Sequence, residues 1–450
     1  MARRRRRRIS FGTILMLVLT IGALGLAGAT IGYIAGDDLR LQTGRFFERM
    51  AETFRQYAGG RPAPVGAAPE ASAAQASGVP QETAVPEATP QPSAAPTAAP
   101  QQRTVTLSAV GSIYAPKNIR QSGYDEESGT YDFSALFGRV KPYVSQADLT
   151  LGTIETYFAG EEAGYSNYNA PDALLDAIRD SGFDLLSLAS EYALEKGEDG
   201  LRQTIMQLEN RGMIAAGAYV DPEQVGSAQM IKINGVQIAV LAYTYGFSDN
   251  TMERTRASQR EGVSVIRQSD MVRDIGNARK AGADVVIVLP HWGTKNKEEV
   301  ASHTRSLARA LAEAGADLIL GAHPNVVQPV EKMTITRSDG AQHDAYVAYS
   351  LGSFLTDSRE AQNTAGMVLQ VRFTYDPQTR TIRFDEVGYM PTYIQRIRQG
   401  EQYDYRILAC ADESYIYALD TSTQKAIQSA REAVVETVGE DARDLSRPET

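Results

Sequence analysis

The sequence predicts an α/β domain in which mixed β-sheets are covered by helices. Short apolar runs that predict buried strands alternate with helical segments that end at glycine. Hairpin signals interrupt this alternation. The strongest is Asn234-Gly235, between the apolar runs at 230–233 and 236–243. Antiparallel pairs inserted among βα units predict mixed sheets rather than purely parallel ones.

The predicted elements follow one another from residue 105 onward. Further strands are predicted at 105–111, 148–155, 183–189, 213–217, 345–351, 366–375 and 380–389, and in the apolar runs that precede His291 and His323. Helices are predicted at 134–146, 171–180, 198–210 and 422–450. Each histidine-ended strand is preceded by a helix that stops at a glycine, Gly282 or Gly315.

The N-terminus is predicted to anchor the chain in the cell membrane. Residues 1–8 are a basic segment, and residues 9–36 form an uncharged run that exceeds the roughly 20 residues needed to cross a bilayer. The arginines predict a single-pass helix with a cytoplasmic N-terminus and an extracytoplasmic main domain. The alternative is a signal peptide that is cleaved near Ala27-Gly28-Ala29. We expect a retained anchor.

The rest of the chain divides by composition. Residues 37–58 predict a juxtamembrane amphipathic helix, 59–102 a disordered linker rich in Pro, Ala and Gln, 103–400 an exported domain, and 401–450 a largely helical C-terminal extension. The single cysteine, Cys410, excludes an intrachain disulfide, so an apolar core must hold the domain together. The net charge of −10 argues against a nucleic-acid partner.

Polar side chains collect at the carboxyl ends of the predicted strands. In open α/β sheets, ligands and metals bind at these ends. Two of the chain's four histidines, His291 and His323, lie there. The full set is Ser112, Glu155, Ser190, Glu191, Tyr192, His291, His323, Asn325 and Ser353.

These residues and their neighbours resemble a known family, the CapA proteins of capsule (poly-γ-glutamate) synthesis. The matching segments run in family order over nearly the whole domain: Gly111-Ser112-Ile113, Thr153-Ile154-Glu155, 187–194, 197–201, His291-Trp292-Gly293, 321–331 and 349–354. Each segment is a weak signal alone, whereas the ordered set is specific. The resemblance implies a metallophosphatase-like α/β/β/α sandwich of mixed sheets.

Glu155, His291 and His323 match the family's metal-ligand pattern, but other positions do not. Six positions of the pattern carry substitutions in this chain: Ser112, Ser190, Tyr192, Ala322, Asn325 and Ser353. Neutral hydroxyls and amides do not neutralise a divalent charge, so a two-metal centre is incomplete. Either Glu155, His291 and His323, with Glu191 as a further candidate, hold a single divalent ion, or no metal binds and the histidines are packing residues. The substitutions favour the second interpretation.

The resemblance implies a function in the cell envelope. It indicates a membrane-anchored protein that supports the synthesis, export or attachment of an anionic polymer related to poly-γ-glutamate. The polymer and membrane synthesis proteins would be its partners. The substitutions favour a degraded metal site and a non-enzymatic role. The alternative is an active metal-dependent hydrolase or transferase on an envelope phosphoester or amide bond. His291 and His323 are then the best candidates for catalytic residues.

Overall fold

The computed structural model describes residues 101–336, 340 and 342–447. Among these residues, no helix has both the length and the apolar character needed to cross a membrane. The predictions for the basic segment 1–8, the transmembrane helix 9–36, the amphipathic helix 37–58 and the linker up to residue 100 fall outside the described residues.

Strands and helices alternate along the described chain. The strands are β1 (Arg103–Ile113), β2 (Tyr124–Asp125), β3 (Thr130–Tyr131), β4 (Leu149–Ile154), β5 (Leu185–Ser187), β6 (Ile214–Ala216), β7 (Gln229–Ile233), β8 (Val236–Thr244), β9 (Val285–His291), β10 (Leu318–Leu320), β11 (Val330–Thr336), β12 (Gln342–Ala348), β13 (Ser353–Leu355), β14 (Ala365–Asp376), β15 (Thr381–Gln399), β16 (Gln402–Ala409) and β17 (Arg443–Asp444). The helices are α1 (Lys117–Ser122), α2 (Ser134–Phe137), α3 (Lys141–Val144), α4 (Asp172–Asp180), α5 (Gly197–Asn210), α6 (Asp249–Arg254), α7 (Gln268–Lys280), α8 (Ser302–Ala314), α9 (Glu413–Ile416) and α10 (Thr421–Val438).

Most of these strands belong to two mixed sheets. The first has nine strands in the described part of the chain. Its order is β16-β15-β14-β1-β4-β5-β6, with β13 beside β1 and β17 beside β15. The second has six strands in the order β11-β12-β10-β9-β8-β7. Both sheets contain parallel and antiparallel pairs, which confirms the predicted mixed α/β class.

The two sheets pack face to face between layers of helices. One apolar core contains residues of both sheets, among them Leu107 and Leu151 of the first and Ile238 of the second. Other residues along β8 point the other way: Leu241 and Tyr243 belong to a second core with α7 and α8. Both faces of the second sheet are therefore buried at its centre, which explains why β8, β9 and β10 are apolar without alternation. Helices α4 and α5 pack against the first sheet.

Two local features follow from turn chemistry. The hairpin predicted at Asn234-Gly235 joins β7 to β8, and both turn residues have positive φ, 49° and 83°, as a tight hairpin turn requires.

The single helix predicted at 134–146 is instead two short helices, α2 and α3. Gly138 follows the first and Pro142 lies in the first turn of the second. A proline cannot continue a preceding helix, because it lacks the N–H and restricts the residue before it.

The C-terminal region adds to the first sheet. Strand β16 pairs with β15 across residues 399–402, so the two strands flank the domain boundary predicted at residue 400. Helix α10 then packs on β14 and β15. It ends at Val438 rather than continuing through the tail, because Gly439 follows with a φ of 84°.

Candidate functional site

Three buried residues, Glu191, His291 and His323, converge where the two sheets meet. Glu191 follows β5 of the first sheet, His291 ends β9 of the second, and His323 follows β10. All three strands have parallel neighbours, so these residues leave the sheets at carboxyl ends. His323 Nδ1 lies 3.2 Å from His291 Nε2 and 3.7 Å from Glu191 Oε1.

These distances fit a single metal ion. The three candidate ligand atoms all lie within 4.8 Å of one another. One point can therefore lie about 2.0–2.4 Å from each of them, which is the range of metal–ligand bonds. Without an ion, the short distance between the two imidazoles describes a hydrogen bond in which one ring donates to the other.

The backbone that carries His323 is held in an uncommon conformation. His323 has a φ of 98° and Asn325 a φ of 61°, in the left-handed region that side chains other than glycine rarely adopt. The Asn296 N–H donates to the Pro324 carbonyl at 2.8 Å, which ties this loop to the segment after β9. Such backbone strain is concentrated at functional sites, where the surroundings enforce it.

Electrostatics keep both histidines neutral. Burial lowers the pKa of His291 well below its ordinary value, and the nearby His323 and Lys295 lower it further. Burial also lowers the pKa of His323, with Lys295 contributing and Glu191 opposing. A neutral imidazole has a lone pair for a metal. The Glu191–His323 contact is therefore not an ion pair at neutral pH.

Glu155 lies at the same strand ends but outside the three-residue group. It follows β4 and is 3% exposed. Burial raises the pKa of its carboxyl from 4.5 to about 7, and the charge of Glu191 adds to the rise while that of Lys295 opposes it. Glu155 does not belong to the group of three residues whose ligand atoms lie within 4.8 Å of one another, so its role as a metal ligand stays a prediction.

Four buried polar atoms at these strand ends have no hydrogen-bond partner among the described residues. They are Ser112 Oγ, Glu155 Oε1, Glu191 Oε1 and His291 Nδ1. Buried polar groups are nearly always paired, so a cluster of unpaired ones is typical of a site that binds a polar ligand. The donor set therefore fits a metal ion at Glu191, His291 and His323.

At several of the substituted positions, the residue forms hydrogen bonds with other residues of the chain. Ser190 Oγ lies 2.9 Å from Tyr157 Oη, and the Ser353 hydroxyl donates to the Asn325 carbonyl at 3.2 Å. Ala322 has no side-chain ligand atom, and its carbonyl accepts a hydrogen bond from the backbone N–H of Trp292 at 3.0 Å.

Tyr192 lies at the rim of the site and does not provide a metal ligand. Its hydroxyl accepts a hydrogen bond from Lys295 Nζ at 3.2 Å. Its ring stacks on Tyr168, with centroids 4.3 Å apart, and Tyr168 in turn contacts Tyr114. Lys295 Nζ is also 3.8 Å from Glu191 Oε1, which places a cation beside the candidate ligand.

The sequence analysis missed Tyr245 and Lys295. The Tyr245 hydroxyl donates to Glu191 Oε2, and its ring lies against both histidines, 4.7 Å from His323 and 6.3 Å from His291. Tyr245 directly follows β8, so the same strand-end rule could have identified it. Lys295 lies four residues beyond His291 in a loop, where no pattern in the sequence marks it.

The fold and the site together define an α/β sandwich protein with a buried His–His–Glu group at its strand ends. The model of the family described as bacterial capsule synthesis protein PGA_cap matches residues 106–358, more than half of the 450-residue chain. The chain belongs to this family, which confirms the family predicted from the sequence.

Named relatives agree with this assignment. The capsule biosynthesis protein CapA of Bacillus anthracis is 26% identical over 270 residues, covering 57% of this chain and 61% of that protein. The PGA biosynthesis protein CapA of Bacillus subtilis (strain 168) is 28% identical over 268 residues, covering 56% and 63%. The chain thus spans less than two-thirds of the length of these relatives.

A solved structure shows a weaker similarity. The calcineurin-like phosphoesterase YfkN from Bacillus subtilis overlaps with a TM-score of 0.40 at 13% identity, covering 75% of this chain and 99% of that chain. A similarity at this level carries no argument about chemistry.

Proposed function

We propose that this protein supports the synthesis, export or attachment of an anionic envelope polymer related to poly-γ-glutamate, with one divalent metal ion in its strand-end site. The convergence of Glu191, His291 and His323 carries the proposal. Membership of the capsule synthesis family supports the choice of an anionic envelope polymer as the partner. The basic segment 1–8 and the apolar run 9–36 support a membrane anchor that holds the domain outside the cytoplasm.

The donor set selects the class of metal. Two imidazoles and one carboxylate suit zinc and related first-row divalent ions, whereas calcium and magnesium prefer oxygen ligands. A bound ion of this class supplies a Lewis acid and a fixed positive charge. The strand ends of the described chain hold only one such set, because Ser112, Tyr192 and Ala322 offer no carboxylate or imidazole for a second ion.

The chain's own residues prepare this set. Tyr245 holds one oxygen of Glu191 and leaves Oε1 directed toward the histidines. Lys295 lies near that oxygen and attracts anionic groups to the rim. The stacked rings of Tyr168 and Tyr192 cover one side. The site can therefore hold an anionic group of the polymer near a cation and an aromatic surface.

Metal content tests the proposal. We expect the full-length chain to purify with about one equivalent of a first-row divalent metal and the double variant His291→Ala, His323→Ala to contain none, as measured by inductively coupled plasma mass spectrometry. His303→Ala is the matched control, because His303 is exposed on α8. Equal metal content in the double variant and the unsubstituted chain would refute the site.

Tyr245→Phe tests how the carboxylate is positioned. The substitution removes only the hydroxyl that donates to Glu191. Groups that orient a metal ligand in this way typically contribute about 10- to 100-fold in metal affinity, so we expect metal affinity to fall by at least about tenfold. Competition with a fluorescent chelator measures the affinity. Tyr417→Phe serves as the control, because Tyr417 is 72% exposed. An unchanged affinity in Tyr245→Phe would contradict the role.

A second candidate function is metal-dependent hydrolysis or group transfer on a phosphoester or amide bond. It is favoured by the donor composition, since two histidines and one glutamate are also the protein ligands of catalytic single-zinc sites. Two assays separate the candidates. In cells that lack the protein, polymer yield with each variant tests the envelope function. With the purified chain, hydrolysis of p-nitrophenyl phosphate and of a γ-glutamyl amide tests catalysis. Metal-dependent hydrolysis that the double variant lacks would establish the second candidate.

A further inference from the structure

Chain segments that carry the candidate metal site also line a separate cavity. Its volume is about 670 Å³, within the range of small-molecule pockets. Helix α10, strands β15 and β16, and the segment after β13 form its walls. Three of its lining residues continue chain segments of the metal site: Val326 follows Asn325, Thr356 follows β13, and Glu298 lies three residues beyond Lys295.

A buried tyrosine, Tyr405, is among the residues that line this cavity. Tyr405 is 2% exposed and lines the cavity, yet its hydroxyl has no hydrogen-bond partner within the described part of the chain. Burial raises the pKa of Tyr405 to about 12, and Asp357 contributes to the rise. The hydroxyl is therefore neutral and available as a donor. Because a buried, unpaired hydroxyl is costly, its position indicates a polar group of a ligand.

Two arginines provide positive charge at the same place. Arg359 and Arg396 line the cavity, and neither forms an ion pair with a carboxylate among residues 101–336, 340 and 342–447. Both lower the pKa of Tyr405, which places their charges near its hydroxyl. The Arg396 guanidinium lies 4.7 Å from the centre of the Tyr403 ring, which fixes its orientation. Guanidinium groups bind carboxylates and phosphates with paired hydrogen bonds.

The rest of the lining is mainly small and apolar. Val327, Ile394, Ala430 and Val434 belong to it, and Ala430 and Val434 lie on helix α10. Glu298 is the only carboxylate among the lining residues of this cavity. The cavity therefore combines an apolar wall with two arginines that have no carboxylate partner, and one hydroxyl that has no hydrogen-bond partner, within the described part of the chain.

We propose that this cavity binds an organic anion, a carboxylate or phosphate carried on an apolar chain. The acid group lies between Arg359 and Arg396 and accepts from the Tyr405 hydroxyl, while the chain packs against α10 and Val327. The cavity uses no candidate metal ligand. The proposal is therefore independent of the metal site.

Binding of simple probes to the full-length chain tests this site. We expect octanoate and octyl phosphate to bind saturably in isothermal titration calorimetry, and octanol to bind at least about tenfold more weakly, since it lacks the charge that two arginines recognise. A preference for octanoate or for octyl phosphate identifies the acid group, and either preference supports the site. The detergent that keeps the chain in solution is titrated alone and subtracted.

Variants locate the binding. Replacing both arginines (Arg359→Ala, Arg396→Ala) should weaken octanoate binding by at least about tenfold, and Tyr405→Phe should weaken it several-fold. Arg398→Ala is the matched control, because Arg398 is exposed on β15 outside the cavity and bonds only to the Gly400 carbonyl within the described chain. The double variant His291→Ala, His323→Ala should bind octanoate with unchanged affinity. Octanoate binding therefore tests this cavity even if the proposed metal site proves wrong.

Three outcomes would overturn the proposal. The first is no saturable binding of either anion. The second is equal binding of octanol and octanoate, which would describe a purely apolar surface. The third is an octanoate affinity that is unchanged both in the double arginine variant and in the separate Tyr405→Phe variant.

Discussion

In the presence of a chelator at pH 8.5, the Glu155→Gln variant is expected to be more stable to unfolding than the unsubstituted chain by up to about 3 kcal/mol. Burial raises the pKa of Glu155 from 4.5 to about 7. Each pKa unit corresponds to about 1.4 kcal/mol, so the difference of about 2.5 units corresponds to about 3 kcal/mol. Because the pKa of Glu155 is higher in the folded chain than in the unfolded chain, the stability of the unsubstituted chain that depends on this carboxyl is fully present below about pH 4.5. It is lost as the pH rises through about 7.

The pH dependence distinguishes this effect from a simple change in packing. Below about pH 4 the carboxyl is protonated in both the folded and unfolded states, so the two chains should have similar stability. Urea unfolding followed by the fluorescence of Trp292, the single tryptophan, measures the free energy of unfolding at each pH. Glu209→Gln, on the exposed side of α5, is the control. An advantage of Glu155→Gln that is the same at pH 4 and pH 8.5 would contradict the burial of a charged carboxylate as its cause.

Gly321→Ala is expected to destabilise the fold by about 2–6 kcal/mol and to abolish metal binding. A Cβ at Gly321 would lie closer than 3.0 Å to the Tyr349 carbonyl oxygen and to Trp292 Nε1. Those two atoms form a hydrogen bond of 2.9 Å, and both are buried. The backbone must therefore shift, and overpacking of this kind in a dense core typically costs about 1–3 kcal/mol before a hydrogen bond is lost. His323 lies two residues away and would move with it.

Gly276→Ala is the matched control for this substitution. Gly276 lies within α7, and a Cβ there would meet nothing within 4 Å. Alanine in a helix should stabilise by about 0.5–1 kcal/mol. Urea unfolding and metal analysis of both variants provide the measurements. Normal metal content and stability in Gly321→Ala would show that the segment between β10 and His323 tolerates a side chain there.

The positions of the core strands along the chain could be anticipated because their physical causes are local. Strands β8 and β9 are buried on both faces, so their apolar runs are continuous and easily recognised. The hairpin at Asn234-Gly235 was predictable because a turn with positive φ favours those residue types. The break between α2 and α3 was missed because the apolar spacing across 134–146 is helical, whereas Pro142 acts through the backbone alone.

The site was predictable only in part. His291 and His323 were identified because the carboxyl ends of neighbouring strands meet at one edge. Glu191 lies four residues beyond the end of β5, so its approach to the histidines depends on the loop after that strand. The directions of loop side chains do not follow a strand's period, and this is why Lys295 and the position of Glu155 could not be inferred. Tertiary packing alone fixes them.

The location of the His–His–Glu group at the junction of the two sheets affects how the domain comes apart. Glu191 is carried by one sheet and both histidines by the other. A ligand bound to all three acts as a reversible cross-link, since the sheets cannot separate until it dissociates. Such a ligand stabilises only the folded chain, so resistance to unfolding increases with its free concentration. The lifetime of the folded domain among proteases would then depend on the supply of metal in its surroundings.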